Sequence, residues 1–409
     1  MYIETTRHNY YSYVRQTGEI VSGIVPDDDF VWTFNSYRAF SAMPDLDTFI
    51  LGITEQCNLR CSYCCYSGEY PNNRTHSSRV MTRSNIDEIY EFIQQHASKR
   101  PLYIAFYGGE PLLHYDLLKY AIDKGKERWG SEVSFSVSSN ATLLSESKAE
   151  WLIANNVRLD FSIDGTAKYH NRNRIDSNGN GSFTRMYKSL AYIVNNHYDY
   201  LSQVRLLMTL PSNDELPDMA REWNEDPILK QLTPSQITSL APNFTKEVAK
   251  RDYNILKQHY LHLLEVYEHH RDWILMKAYI DGCISDWKDR PILKVERSVP
   301  MSTCMPLNTK LFIDASMQIA VCEKISDKFR IGSIRDGIDW ETANKQAIDY
   351  YEKRVRRCSH CQAIRMCGLC LTAVEFNDEQ WESLCHNERV YSRLYMWLFC
   401  EMAERNLLE

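Results

Sequence analysis

The 409 residues contain no apolar run that approaches the ~20 residues a membrane span requires. A basic excess is missing too: 47 Lys and Arg face 54 Asp and Glu, a net charge of -7. That balance argues against a large phosphate-tracking surface and against nucleic acid as a partner. The first residues, Met1-Tyr2-Ile3-Glu4-Thr5-Thr6-Arg7, lack the charged-then-apolar order of a signal peptide. There are no internal repeats and no low-complexity linker. Cysteine is absent from the whole stretch between Cys65 and Cys283. These absences describe a cytoplasmic, soluble chain. What is present agrees: 44% hydrophobic and 25% charged residues suit a folded protein of two or three domains.

The thirteen cysteines are unevenly placed. Cys57, Cys61, Cys64 and Cys65 form one group, and seven more lie between Cys304 and Cys385, leaving Cys283 and Cys400 as outliers. Structural disulfides are disfavoured in the cytosol, where clustered thiols more often bind metal or do redox chemistry. The distribution alone points to a metal or iron–sulfur protein.

Residues 1–47 are rich in Tyr and Trp, with turn signals at Gly18 and Pro26-Asp27-Asp28-Asp29, and read as short strands capping the main domain. Short β-branched or aromatic runs follow at 48–53, 102–107, 133–137, 157–163 and 204–210, with a sixth at 237–240. Helical patterns lie between them at 83–97, 115–128, 145–155 and 183–195. Strand–helix alternation implies a parallel sheet of α/β class, barrel-like or doubly wound. Residues 245–290 read as one or two long helices. After Pro300 the pattern breaks into short segments around cysteines, of the kind that needs metal to fold. An amphipathic helix over 387–407 closes the chain.

Directly after the first strand comes Thr54-Glu55-Gln56-Cys57-Asn58-Leu59-Arg60-Cys61-Ser62-Tyr63-Cys64. Three thiolates on one loop can hold three corners of a [4Fe–4S] cluster and leave the fourth iron open. A zinc loop competes, but structural zinc takes four protein ligands and no nearby His completes the set. The segment resembles the radical S-adenosylmethionine (SAM) superfamily, whose hallmark is C-x-x-x-C-x-aromatic-C, with Tyr63 in the aromatic slot. Tyr107-Gly108-Gly109-Glu110-Pro111 ends the second strand where that family carries Gly-Gly-Glu-Pro. Its glycines let backbone carbonyls approach a ligand closely, and Glu110 would help hold the methionine ammonium. Strand three ends in Ser139-Asn140-Ala141-Thr142, similar to Thr-Asn-Gly-Thr with Ala141 replacing glycine. Strand four ends in Ser162-Ile163-Asp164-Gly165, and His170-Asn171-Arg172-Asn173-Arg174 resembles His-Asp-x-x-Arg. By resemblance Asn140, Ser162 and Asp164 face the ribose and methionine, and Arg174 the SAM carboxylate. Each is equally a strand-end residue that could cap the next helix, although barrel-type folds place ligands at those strand ends. Cys65 is read as a small packed or partly exposed thiol.

Cys304, Cys322, Cys358, Cys361, Cys367, Cys370 and Cys385 resemble the SPASM domain that follows many radical SAM barrels. Met317 stands where that pattern has glycine, and Cys367-Gly368-Leu369-Cys370 is one residue short of it. Two zinc fingers are the competing reading. The resemblance implies two auxiliary [4Fe–4S] clusters, one on Cys304, Cys322 and Cys370 and one on Cys358, Cys361, Cys367 and Cys385. The first either recruits Cys283 or keeps an open iron. The implied organisation is a cap at 1–47, a partial (β/α)6 barrel at 48–243, a helical bridge at 244–300, the SPASM domain at 301–390 and a terminal helix at 391–409.

The resemblance implies an oxidoreductase that forms a 5′-deoxyadenosyl radical and crosslinks a ribosomally made precursor peptide, leader plus core, through a carbon–carbon or thioether bond. A flavodoxin- or ferredoxin-type donor would supply electrons, and residues 1–47 could hold part of a leader. An anaerobic sulfatase-maturating enzyme shares the architecture, but its catalytic aspartate after the cysteine matching Cys322 is here Glu323, a candidate catalytic base. A non-enzymatic iron–sulfur or zinc scaffold is the reading of another class.

Overall fold

The computed structural model describes all residues except 27–29, 42–45, 70–73, 98–99, 240–247, 299–309 and 409. The chain forms two compact units. One, the helical unit, comprises Met1–Ala39, Thr245–Met305 and Lys345–Glu409; the other, the sheet unit, comprises Phe40–Phe244 and Pro306–Asn344.

The chain opens in the helical unit with an antiparallel sheet of β1 (Tyr2–Glu4), β2 (Tyr10–Tyr13) and β3 (Ile20–Ser22). A short β4 (Thr33–Phe34) follows and pairs with Arg297–Ser298. The sheet unit then alternates strand and helix: β5 (Thr48–Thr54), α1 (Arg83–His96), β6 (Leu102–Gly108), α2 (Tyr115–Trp129), β7 (Val133–Ser139) and α3 (Glu146–Ala154). It continues with β8 (Arg158–Ser162), α4 (Ala167–Asn173), α5 (Phe183–Asn196), β9 (Val204–Thr209), α6 (Leu216–Glu225) and β10 (Gln236–Thr238). These six strands are parallel and lie in chain order. The expected α/β class is borne out, with element ends within a residue or two of the periodicity. Leu240, expected in the sixth strand, lies outside the described residues.

The sheet is two-faced, and that places the site. Leu51, Phe106, Val137, Leu159 and Val204 stand in one register row, all buried. This row shares a face with Phe135, against which Gly125 of α2 packs so closely that an added Cβ would come within 2.6 Å of the ring. The opposite face carries Tyr103, Ser136, Arg158, Asp160, Ser162 and Arg205, since side chains alternate along a strand. With α2 packed on the apolar face, the polar face opposite is the one that offers groups for chemistry.

In the helical unit α7 (Tyr253–His269) and α8 (Ile274–Lys288) fulfil the two-helix expectation, and β11 (Arg297–Ser298) is the partner of β4. The next segment departs from the sequence reading. β12 (Lys310–Ile313) pairs in parallel with β5, and β13 (Gln318–Ala320), β14 (Arg330–Ser333) and β15 (Gly337–Ile338) extend the same sheet as an antiparallel meander. Residues 306–344 thus belong to the sheet unit, not to a separate cysteine-rich domain running over 301–390. The cause is an apolar strand: Leu311, Phe312 and Ile313 are all buried, Ile313 extending the Leu51 row. Residues 1–39 likewise group with the helical unit instead of capping the sheet, because Thr6 donates to Glu401, and Asn9 and Tyr11 donate to Glu404.

After α9 (Trp340–Cys358), α10 (Asp378–Glu404) begins nine residues before the expected 387. Asn377 and Gln380 form a reciprocal capping box there, and Trp381 and Leu384 begin the buried stripe ahead of 387. Among the described residues no helix is long and apolar enough to cross a membrane.

Candidate functional site

The loop of Cys57, Cys61 and Cys64 leaves the end of β5 and is laid along the segment after α4. Arg60 N donates to Ile175 O at 2.6 Å, Ser62 N to Asn173 O at 3.1 Å, and the Ser62 hydroxyl to Asn173 Oδ1 at 2.7 Å. Leu59, 1% exposed, anchors it. The thiols are removed from water: burial pushes Cys57 up to about 12 and Cys61 up to about 11. Cys64 is raised by its contact with Cys65 and by burial. Such thiols ionise only against a positive partner, which a bound metal cluster provides.

The Gly-Gly turn has a different neighbour from the expected ligand. A Cβ on Gly109 would lie 1.9 Å from Gln56 O, and one on Gly108, at φ +132°, 2.2 Å from Thr54 O. The glycines therefore seat the end of β6 against the root of the cysteine loop, through Gly109 N to Thr54 O and Glu110 N to Gln56 O, both 2.7 Å. Glu110, 1% exposed, accepts from Leu112 N at 3.0 Å, the Ser139 hydroxyl at 2.7 Å and Asn140 N at 2.8 Å. It is a strut between strand ends, and burial raises its pKa. A carboxylate has about four acceptor sites, so one remains for an ammonium.

Asn140 reaches the loop directly: its Nδ2 donates to Asn58 Oδ1 at 2.9 Å and lies 3.9 Å from Cys57 Sγ. Asp164 joins three parts of the site. It accepts from Arg174 Nε at 2.8 Å, from Thr209 N at 3.0 Å, and through a short bond from the Tyr63 hydroxyl of the loop. Arg174, 8% exposed, places its charge beside Cys61. Ser162 is half-buried on the polar face, at the same strand end as Asp164 and two residues before it. His170 is a positioning group: burial lowers it to about 4, so the neutral ring accepts from Asp164 N at Nδ1 and meets the Ser182 hydroxyl at Nε2.

Tyr107 and Glu323 come to this loop from elsewhere in the sheet unit. Cys65 packs with its sulfur 3.8 Å from the Tyr107 hydroxyl. Glu323, 9% exposed, bears electrostatically on Cys65, Tyr66 and Tyr107, and pairs with Lys310 Nζ at 3.2 Å. Burial opposes its charge, yet Lys310 and Lys324 hold its carboxyl below the usual range. The Lys310 partner went unforeseen, since nothing local shows that β12 lies beside β5. Also unforeseen is the Arg158–Asp160–Arg205 set on the polar face, with Asp160 3.2 Å from Arg158. Strand alternation at 158–162 carried that signal.

In the helical unit Cys358, Cys361, Cys367 and Cys385 line one small cavity together with Arg354, Trp381 and Glu388. Burial raises Cys367 to about 11 and Cys385 to about 12. Among the described residues no three His, Cys, Asp or Glu converge closely enough to clasp a single metal ion; these four sulfurs surround a space instead. Cys370 is not on that cavity and accepts from the Thr372 hydroxyl at 3.4 Å. Cys322 lies in the sheet unit, Cys370 in the helical unit, and Cys304 outside the described residues. Cys283 sits within α8, its thiol raised to about 12 by burial beside Tyr279, Tyr395 and Tyr260.

Residues 51–222 match the family model described as the radical SAM superfamily. The chain is 24% identical over 375 residues to the radical SAM cyclopropyl synthase TigE of Paramaledivibacter caminithermalis, covering 87% of this chain and 73% of that protein. It is 23% identical over 376 residues to the cysteine-type anaerobic sulfatase-maturating enzyme of Clostridium perfringens strain 13, covering 87% and 97%. Among solved structures, anSMEcpe with bound AdoMet superposes with a TM-score of 0.65 at 19% identity, over 88% of this chain and 99% of that one. That last likeness is one of fold.

Proposed function

We propose, starting from a chain whose residues 51–222 are a radical SAM domain, that this enzyme oxidatively crosslinks a ribosomally made precursor peptide. The domain brings SAM and a [4Fe–4S] cluster, which when bound supply a 5′-deoxyadenosyl radical for hydrogen abstraction from carbon. Cys57, Cys61 and Cys64 would hold that cluster. Asn140 and Asp164 would orient SAM, Arg174 would meet its carboxylate, and the Glu110 strut would offer its remaining acceptor site to the ammonium.

Closing a carbon–carbon or thioether bond between two peptide positions removes two hydrogens. One leaves as a hydrogen atom; the other leaves as a proton and an electron. The proton needs a base beside the substrate, and Glu323, ionised and facing the cysteine loop, fills that role. The electron needs an acceptor other than the radical-forming cluster. The observation that carries the reading is therefore the second cysteine set, four thiols around one cavity, suited to an auxiliary cluster. With the cluster on Cys57, Cys61 and Cys64, the loaded chain would contain at least about eight irons, four per cubane. A cyclopropyl synthase among the relatives supports carbon–carbon bond formation.

Sulfatase maturation is the second reading, favoured by relatives of that class aligned over 97% of their length. The experiment gives the anaerobically loaded enzyme SAM, a reductant and either a ribosomally made precursor peptide or a sulfatase peptide carrying Cys or Ser. Crosslinking predicts loss of two hydrogens from the precursor with no carbonyl trapped by a hydrazide. A hydrazide-reactive aldehyde on the sulfatase peptide would establish the second reading. Failure to form 5′-deoxyadenosine at all would remove both and leave a scaffold.

A further inference from the structure

Arg354 is 1% exposed, as deeply buried as any charged side chain on α9. It stands one helical turn before Cys358 and one after Tyr350, so the three share a helix face. Its Nη1 donates to the Tyr350 hydroxyl at 2.9 Å, and Tyr350 in turn donates through a short bond to Leu369 O. The charge of the guanidinium bears on Cys358 and Cys367. Together with the four cysteines it lines their cavity. Two other arginines reach this cysteine set, Arg357 and Arg389, but they lie towards solvent and are paired with Asp378 and with Glu382. Glu388, the acid on the cavity wall, is turned to the Gly368 N–H at 2.7 Å.

Removing a guanidinium from water costs several kcal/mol unless an anion repays it. The anion here is the thiolate set, and an iron–sulfur cluster held by four thiolates is itself anionic. We propose that Arg354 is a positioning residue for the cluster on Cys358, Cys361, Cys367 and Cys385, and that its fixed charge holds that cluster's reduction potential up. Adding an electron makes the cluster one charge more negative, and a cation in a low-dielectric wall stabilises the reduced form more than the oxidised one. A potential raised in this way makes the cluster a better electron acceptor. The inference rests on the auxiliary-cluster reading of these four cysteines.

The test uses the full chain, reconstituted anaerobically, as wild type, Arg354→Gln and Arg354→Lys. Iron and sulfide are counted first, and a redox titration followed by electron paramagnetic resonance reads each cluster. Arg354→Gln keeps hydrogen bonding and loses the charge: one cluster should shift to a more negative potential while the SAM-site cluster, the internal reference, does not move. Arg354→Lys should stay near the wild-type value. Fully loaded Arg354→Gln with unshifted potentials, or a lysine variant shifted as far as the glutamine one, overturns the assignment. Should the glutamine variant not hold iron, a fully loaded lysine variant at the wild-type potential supports the assignment and one shifted to a more negative potential overturns it. Wild-type iron for a single cluster would instead overturn the four-cysteine reading, and the metal count separates that failure from the first.

Discussion

Glu323 is a buried carboxylate kept ionised by two lysines, and that has a pH consequence. Its folded pKa is lowered, with Lys310 the stronger of the two cationic causes. If the ionised form takes the substrate proton, product formation falls on the acid side as Glu323 is protonated. Lys310→Met removes a charge that favours ionisation, so the pKa rises and the acid limb of the rate profile moves to higher pH. Glu323→Gln should still form 5′-deoxyadenosine while product falls ~100-fold or more. Product at the wild-type rate in the glutamine variant would reduce Glu323 to a salt-bridge partner. Two other residues show how a motif departs in letter and survives in geometry. Ala141 and Met317 both occupy positions where the resembled families carry glycine, and both keep a positive φ, +57° and +65°. The left-handed conformation costs a residue with Cβ roughly 1–2 kcal/mol. Neighbours impose it: Ser139 Oγ accepts from Ala141 N at 2.8 Å, and Met317 N donates to Asp314 O at 2.9 Å in the hairpin turn. A sequence shows the missing glycine but not the hydrogen bonds that compensate for it.

At the scale of elements, the parallel strands and their helices were readable because each carries its own signal: a β-branched run or a period of 3.6. The start of α10 and the strands β12 to β15 were not. The first depends on the Asn377–Gln380 capping box and on Trp381 and Leu384, buried ahead of the expected stripe, and the second on pairing with β5, more than 250 residues away, which no local pattern encodes. The Gly-Gly turn is intermediate: its position was plain, its reason was not. Because the space beside Gly109 is filled by the Gln56 carbonyl, Gly109→Ala must push the end of β6 away from the cysteine loop. The expected cost is on the order of 3 kcal/mol in stability, together with loss of iron from the SAM-site cluster. Iron counting on the purified variant checks it. A variant that keeps both its stability and its full iron would show that the loop tolerates the shift.

Across the whole molecule, the cysteine sets differ in what their surroundings would do without iron. The loop of Cys57, Cys61 and Cys64 is tied down by backbone bonds to residues 173–175 and to Gly109 and Glu110. The segment between α9 and α10 is not. Most of its backbone bonds close short turns, Cys361 to Cys358, Met366 to Ala363, Ala373 to Cys370 and Phe376 to Ala373, and one, Trp32 N to Ser359 O, reaches the rest of the helical unit. Its second half has other anchors, for Lys353 Nζ donates to Val374 O at 3.1 Å and Phe376 O at 2.6 Å, and Tyr350 holds Leu369. Residues 359–368 have Cys361 and Cys367, the Trp32 N bond to Ser359 O at 2.8 Å, Arg15 Nη1 on His360 O at 3.3 Å and the Glu388 contact to Gly368. The Arg365 guanidinium also donates to the carbonyls of Arg15, Gln16, Pro291 and Leu293. The amide N–H groups of 359–368, however, are held by little beyond the short turns. Metal binding is folding free energy where the ligands are the main crosslinks. Chelating iron from the reduced protein should therefore speed amide exchange across 359–368 by at least about tenfold, a local opening with little global cost. Residues 369–376 should change less, and the strands Leu102–Gly108 and Val133–Ser139 not at all. Equal protection of 359–368 with and without iron would mean that packing of Trp32, Cys358 and Ile364, not a cluster, holds this segment.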